Sequence, residues 1–329
     1  MRLAVRQPIP AASPYLGGLR DRDFLSAGDV SAAELEAMLD AAAALKDEWA
    51  RHRDHVEQPL AGRTVALLFQ KPSLRTRVSF ELAVQQLGGR SLYLADVDVG
   101  IERRESAADI ARTLERWVDA LVARTFRHEL VEGLAEAMSV PVINALTDRE
   151  HPCQALADLL TLRERFGSLP GLVVAFVGEA NNVAMSLALA GTRLGMEVRI
   201  AHPPGYGADR ESMALVRGSA MRHGGQFMTM DDPREAVAGA QAVYADTWVS
   251  MGDEADAPKR RRAFASYRVD AELMAAAAPD AIFMHCLPAH RVEEVTADVI
   301  DGPQSAVFDQ AENRLHAQKA LLVGLLGHV

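Results

Sequence analysis

Cysteine is almost missing from this chain of 329 residues: there are two, Cys153 and Cys286, far apart in sequence. Neither a disulfide framework nor a paired set of zinc thiolates can be built from them, and a reducing, cytoplasmic setting is expected. Long apolar runs are also lacking, which argues against a membrane-spanning helix. The first 18 residues carry Pro8, Pro10 and Pro14 and no apolar centre, so they read as a loose arm rather than a secretory leader. Positive charge is in deficit, 35 Lys and Arg against 45 Asp and Glu, for a net charge of −10. That balance excludes a general nucleic-acid or membrane-surface role, so an anionic substrate must be drawn in locally by grouped arginines. No internal repeat or low-complexity tract is present, although 271–278 is alanine-rich. The turn after the apolar run 173–177 reads Gly178-Glu179-Ala180-Asn181-Asn182, without the three-glycine fingerprint of a dinucleotide site. A nicotinamide-dependent dehydrogenase, an obvious α/β rival, is thereby disfavoured.

What remains is an ordinary globular composition, 49% hydrophobic and 24% charged, on a chain too long for one core to keep growing. Two domains are expected. An amphipathic helix over 31–50 starts at an N-cap Ser31 and puts Leu35, Met38, Leu39, Ala42 and Leu45 on one side. Strand-like runs at 65–69, 91–95, 120–125 and 140–146 follow, separated by helical segments, the alternation of a parallel sheet. A helix after His151, with Leu156, Leu159, Leu160 and Leu162 and an end near Gly167, bridges to a second alternation. Its strands are expected at 172–177, 198–202, 242–245, 281–285 and 306–309, before a last helix from about Glu312. The fold class is α/β: two doubly wound domains, each a central parallel sheet flanked by helices, joined by interdomain helices.

The stretch Lys71-Pro72-Ser73-Leu74-Arg75-Thr76-Arg77 joins the first strand to a helix that carries Val78 and Leu82 and stops at Gly88-Gly89. Free N–H groups at the helix N-terminus, the hydroxyls of Ser73 and Thr76 and the guanidinium groups of Arg75 and Arg77 would then meet at one point suited to phosphate. Taken alone, the same residues equally describe an N-cap serine beside surface arginines. Strand placement adds weight. Ser73, Arg124, His151, the 179–182 turn, Asp246 and Cys286 all fall at or just after the end of an expected strand, where open α/β sheets bind ligands. Two such sheets facing one another would gather all six around one cleft.

Five motifs run in order: Ser73-Leu74-Arg75-Thr76-Arg77, His151-Pro152-Cys153-Gln154, Asp246-Thr247-Trp248-Val249-Ser250-Met251-Gly252, His285-Cys286-Leu287-Pro288-Ala289 and Glu312-Asn313-Arg314-Leu315-His316. With them, from about Leu25 onward, the chain resembles the ornithine carbamoyltransferases of the aspartate/ornithine carbamoyltransferase superfamily. The resemblance implies a carbamoyl phosphate-binding domain over 1–148, an ornithine-binding domain over 149–314, and a C-terminal helix, 315–329, packed back on the first. It implies transfer of the carbamoyl group of carbamoyl phosphate to the side-chain amine of L-ornithine, giving L-citrulline and phosphate for arginine biosynthesis. No cofactor and no metal is called for, and the usual assembly is a homotrimer or a multiple of it.

Carried over residue by residue, the resemblance puts phosphate on Ser73, Arg75, Thr76 and the backbone of Leu74. Arg124 reaches phosphate and carbonyl oxygen, and His151 and Gln154 contact the carbamoyl group, as Cys286, Leu287 and Arg314 also do. Ornithine falls to Asn182, Asp246, Ser250, Met251 and Cys286, with Asp246 taking the α-ammonium and Asn182 the carboxylate. Arg75, Arg124, His151 and Cys286 are the catalytic set. Cys286 is no covalent nucleophile there, because carbamoyl phosphate is already activated. Each residue alone has a plain alternative: a histidine before proline is more often a cap or core residue, Arg124 could pair with an acidic neighbour, and Leu287 and Met251 could be core. Five motifs in register favour function for all of them.

Two positions depart from the pattern. Leu74 stands where the family most often has Thr, and Gly100, within 99–106, stands where many relatives place a glutamine that reaches a neighbouring subunit's site. Two other readings therefore stay open: transfer to a related acceptor such as N-acetylornithine or putrescine, and a non-catalytic relative that binds carbamoyl phosphate. Aspartate as acceptor would call for extra cations around its second carboxylate.

Overall fold

A computed structural model of the protein describes residues 14–327. The chain divides into two compact units, one holding the chain up to Leu156 together with the segment from Arg314 onward, the other Ala157–Asn313. Both crossings lie inside helices, Pro152–Phe166 and Val307–Leu326. The loose arm expected over 1–18 falls mostly outside the described residues. Its described end departs from that expectation: Pro14–Gly17 is a helical turn, and Leu16 is buried.

In the first unit, β1 (Thr64–Phe69), β2 (Arg90–Ala95), β3 (Ala120–Arg124) and β4 (Val142–Leu146) form a parallel sheet in the order β2-β1-β3-β4. Every residue of β1 from Val65 to Phe69 is buried, as a strand covered on both faces requires, so its sequence is apolar without alternation. One cluster sets Ala66, Leu68, Leu121, Ala123 and Val142 against Ile110 of the helix Ala107–Leu114 and Leu130, Val131 and Leu134 of the helix His128–Ala137. The helix Ala32–His52 begins with a capping box. Ser31 Oγ accepts from Glu34 N–H and the Glu34 carboxylate accepts from Ser31 N–H, which satisfies two end groups at once.

In the second unit, β5 (Val173–Val177), β6 (Glu197–Ala201), β7 (Gln226–Met230), β8 (Ala242–Ala245) and β9 (Ile282–His285) form a parallel sheet in the order β7-β6-β5-β8-β9. Its core holds Ala175, Val177, Val243, Ala245 and Phe283 beside Trp248, Phe264 and Tyr267.

Two strand expectations fail here. Edge strand β7 was not anticipated: it pairs with β6 alone, and Gln226 and Met228 are exposed, so no apolar run marks it. The strand expected at 306–309 is the start of a helix. One bridge, Phe283 to Ser305, ends the pairing beside β9, and the helix Val307–Leu326 begins two residues later, earlier than Glu312. Gln310 accounts for the change, since its amide accepts from His285 N–H at 2.9 Å and donates to Asp158 Oδ1 at 2.6 Å. Those two bonds use a helical presentation that the β-prone Val307-Phe308 pair conceals.

The strand orders create one topological switch point per sheet, between β1 and β3 and between β5 and β8. Chain connections leave those neighbouring strands in opposite directions, which opens a crevice at their carboxyl ends.

Candidate active site

At the first switch point, Ser73 caps the helix Leu74–Gln86: its Oγ accepts from Thr76 N–H at 3.3 Å and lies 3.1 Å from Thr76 Oγ1. Thr76 is fully buried, and its hydroxyl accepts a hydrogen bond from Arg314 Nη2 at 2.7 Å. Arg124 is the last residue of β3, paired with Phe69 of β1, and its carbonyl accepts from Gln70 N–H at 2.8 Å. His151 and Gln154 stand at the start of the helix Pro152–Phe166, and Pro152 occupies the first helical position, where its missing N–H costs nothing. Arg124, His151, Gln154 and Arg314 are all buried.

Electrostatics decide what His151 can be. Burial, and then the charges of Arg314 and Arg124, hold its pKa well below the ordinary histidine value. At neutral pH it is an uncharged imidazole beside two guanidinium groups, able to hydrogen-bond a carbonyl without adding a proton to it. Cys153 is pushed up to about 12, mainly by burial, and its Sγ–H points at Asn144 O at 3.4 Å. It is a packed thiol, not a reactive one.

Two members of the 73–77 motif leave the site. The Leu74 side chain is 75% exposed, so only its backbone can serve an anion. Arg77, expected to join Arg75, instead donates to Glu81 at 3.0 Å and stacks 3.7 Å above the Tyr93 ring. Helical spacing explains this, because residues two apart face away from one another.

At the second switch point, Asp246 directly follows β8, Cys286 directly follows β9, and the 179–182 turn follows β5. Asp246 Oδ2 accepts from Asn181 Nδ2 at 2.8 Å; Oδ1 accepts from Thr247 N–H at 2.8 Å and from the Cys286 thiol at 3.1 Å. Asn181 also caps the helix Asn182–Arg193, and Asn182 Oδ1 accepts from Val183 N–H at 3.0 Å. Ser250 and Met251 lie farther along the same loop, which turns where Ser250 O accepts from Asp253 N–H at 3.0 Å; Met251 is 51% exposed.

The turn that presents Cys286 is held from beneath. Leu287 takes a left-handed backbone conformation, φ 59°, and its N–H donates to His285 Nδ1 at 2.9 Å. With Nδ1 accepting, His285 Nε2 carries the proton and faces buried Glu294 Oε1 at 3.2 Å. Donor atoms of Asp246, His285 and Cys286 lie within 4.8 Å of one another, close enough to hold a cation. The Cys286–Asp246 hydrogen bond is one of those contacts.

Arg260 is the residue that sequence reasoning passed over. Buried in the helix Ala257–Phe264, it donates through Nε to Trp248 O at 2.5 Å and pairs with Glu179, with Asp253 3.7 Å away. One guanidinium thus ties the 179–182 turn to both ends of the 246–253 loop. The run Lys259-Arg260-Arg261-Arg262 holds no mark that singles it out, since only burial separates Arg260 from its neighbours.

Comparison with known proteins bears on both half-sites. The carbamoyl-P binding domain of the aspartate/ornithine carbamoyltransferase family matches residues 22–164, and the Asp/Orn binding domain matches 170–325. Ornithine carbamoyltransferase of Symbiobacterium thermophilum is 55% identical over 305 residues, 92% of this chain and 97% of that one. The protein of Pyrococcus furiosus named ornithine carbamoyltransferase, anabolic, is 49% identical over 311 residues, 94% and 98% of the two chains. A solved structure of ornithine carbamoyltransferase from Pyrococcus furiosus superposes with a TM-score of 0.91 over 94% of this chain and 99% of that one, at 49% identity. Matches of that extent, on a chain whose arginine cradle and Asp246–Cys286 contact sit at two switch points, make it a member of the aspartate/ornithine carbamoyltransferase family.

Proposed function

We propose that this protein transfers the carbamoyl group of carbamoyl phosphate to the side-chain amine of L-ornithine, forming L-citrulline and phosphate in arginine biosynthesis. The observation that carries the reading is the cradle at the first switch point, where buried arginines flank an uncharged His151. The first unit, which holds His151, Gln154 and Arg314, would bind carbamoyl phosphate, and the second would bind ornithine; the carbamoyl-P and Asp/Orn binding domains matched support that division.

The roles follow from the chemistry. Ser73, Arg75, Thr76 and the Leu74 backbone hold the phosphate, and Arg314 and Arg124 spread its charge. His151 and Gln154 hydrogen-bond the carbamoyl oxygen and amide, stabilising the oxyanion as it develops. On the acceptor, Asp246 takes the α-ammonium in a charge-assisted bond, while Asn182, Ser250 and Met251 line the amino-acid end. Cys286 and Leu287 stand beside the distal amine and the carbamoyl group. That amine has an ordinary pKa of about 10.4, so roughly one molecule in a few thousand is neutral at pH 7. Its lone pair attacks the carbamoyl carbon, the C–O bond to phosphate breaks, and the phosphate leaves with the electron pair; a proton from the new C–N linkage passes to solvent. Aspartate would need cationic side chains around its second carboxylate, whereas the group beside Cys286 is the Asp246 carboxylate.

Cytoplasmic action as a homotrimer or a multiple of trimers belongs to the same proposal. Both cysteines are free thiols, and no helix among the described residues is long and apolar enough to cross a membrane. Val78, Leu82, Leu92 and Val97 of the first unit are exposed apolar side chains that an interface would cover.

The purified protein should make citrulline from ornithine and carbamoyl phosphate without added metal, preferring ornithine at least roughly 100-fold over N-acetylornithine, putrescine and aspartate. Faster turnover of one of those three would replace the proposed acceptor. No carbamoylation of ornithine or of any of the other three would leave a binding protein.

A further inference from the structure

Lys319 is completely buried, and its Nζ lies 2.8 Å from His55 Nε2 and 4.5 Å from the centre of the Trp49 ring. His55 Nδ1 is 2.6 Å from Glu48 Oε2, and Glu48 Oε1 accepts from Val56 N–H at 3.0 Å. A ring nitrogen facing a carboxylate at that distance carries the proton, which leaves Nε2 to accept from the lysine. The line of bonds therefore runs one way, from Lys319 to His55 to Glu48. It joins the helix Val307–Leu326 to the end of the helix Ala32–His52, within the first unit.

The reaction does not use these groups, and burying an ammonium costs several kcal/mol that a methionine of similar length would not. A short directional hydrogen bond, however, fixes its partners more closely than apolar contacts, which tolerate sliding. Lys319 lies five residues beyond Arg314 on the same helix, about 7.5 Å along its axis. Arg314 reaches Thr76 Oγ1 at 2.7 Å. The helix is thus pinned at two polar points, and slippage at one carries to the other because a helix is axially stiff. Around the first point stand Lys46 and Glu48 of the helix Ala32–His52, Asp54 and His55 just after it, and His316 one turn before the lysine. Burial brings Lys319 down to about 7 and His316 to about 3, the mark of a dry cluster.

We propose that Lys319, bonded through His55 to Glu48, is a positioning residue that sets the register of the C-terminal helix and so the place of Arg314 in the phosphate half-site. This rests on the reading of Arg314 given above. Steady-state kinetics of the full chain test it. Lys319→Met and His55→Leu should each raise KM for carbamoyl phosphate roughly tenfold while kcat stays within about twofold. His55→Gln, which puts an acceptor where Nε2 stood, should restore the wild-type KM. The double variant Lys319→Met/His55→Leu should be no worse than either single one, because both cut the same line. Lowered Tm with unchanged KM would overturn the proposal by reducing the cluster to a structural role, as would His55→Gln behaving like His55→Leu. If Lys319→Met does not fold, the His55→Leu and His55→Gln pair carries the test. Arg314→Ala is the reference. A wild-type KM in that variant would sink the placement of Arg314 itself; a raised KM there with none in the other variants would sink only the positioning role.

Discussion

At the crevice of the first sheet, Arg124 ends β3 and Ser73 opens a helix after β1; at that of the second, Asp246 follows β8 and Asn181 opens a helix after β5. The scaffolds match in the placement of a helix N-terminus and a strand-end residue around one switch point, but the chemistry is opposite. The first crevice is cationic, with Arg124 and Arg314 so close to His151 that they help keep it uncharged. The second is built on a carboxylate that accepts from an amide, a thiol and a backbone N–H. On the proposed reading, one fold plan serves an anionic donor in one unit and an ammonium-bearing acceptor in the other. What differs is confined to the few side chains at the strand ends, which is where this architecture lets residues vary without disturbing the core.

If each crevice serves one substrate, a substitution should be felt by that substrate alone. Arg75→Ala should cost roughly 2 to 5 kcal/mol of carbamoyl phosphate binding through loss of a charged phosphate contact, with the ornithine KM unchanged. Initial rates with each substrate varied in turn would show it, and a near-normal carbamoyl phosphate KM would break the assignment. Arg260→Ala leaves Glu179 and the Trp248 carbonyl without their guanidinium and should destabilise the second unit by about 2 to 4 kcal/mol. Denaturant unfolding would measure the loss, and the ornithine KM should rise because the 246–253 loop is untied. Asp246→Asn removes the charge proposed for the α-ammonium. The ornithine KM should rise by the equivalent of about 1.5 to 3 kcal/mol while carbamoyl phosphate binding, followed by calorimetry, stays put.

A change of pH separates the units as well. In the first, His55, His151 and His316 have folded pKa values below 6.5, so the unfolded chain takes up protons first as pH falls. Stability is lost from about pH 6.5 downward at up to about 1.4 kcal/mol per pH unit for each group. In the second, burial raises the pKa of Glu179 above its ordinary 4.5, so the folded state takes the proton first and stability is gained as pH falls through that raised value. Peptide-resolved hydrogen exchange at pH 7.5 and 5.5 should show protection falling in the β1–β4 sheet and holding in the β5–β9 sheet. Equal loss in both would erase the contrast.

Much of this protein was legible as sequence. Eight of the nine strands among the described residues lie in runs marked as strand-like in the sequence, most plainly β1, β3 and β8, whose buried residues need no polar alternation, and the N-cap Ser31 announces its helix because capping is local chemistry. The charge and type of the strand-end residues were equally readable. Tertiary structure decided the rest, wherever a residue's partner is remote in the chain. The edge strand β7 exists because β6 offers it a ladder. Val307 begins a helix because Gln310 must reach both His285 and Asp158. Asn181 meets Asp246, Arg77 turns to Tyr93 and Glu81, and Arg260 alone of four consecutive basic residues is buried. Local propensity and periodicity act over a few residues and can be read in order, but which member of a run of like residues is desolvated depends on what packs over it from elsewhere, and only the folded chain specifies that.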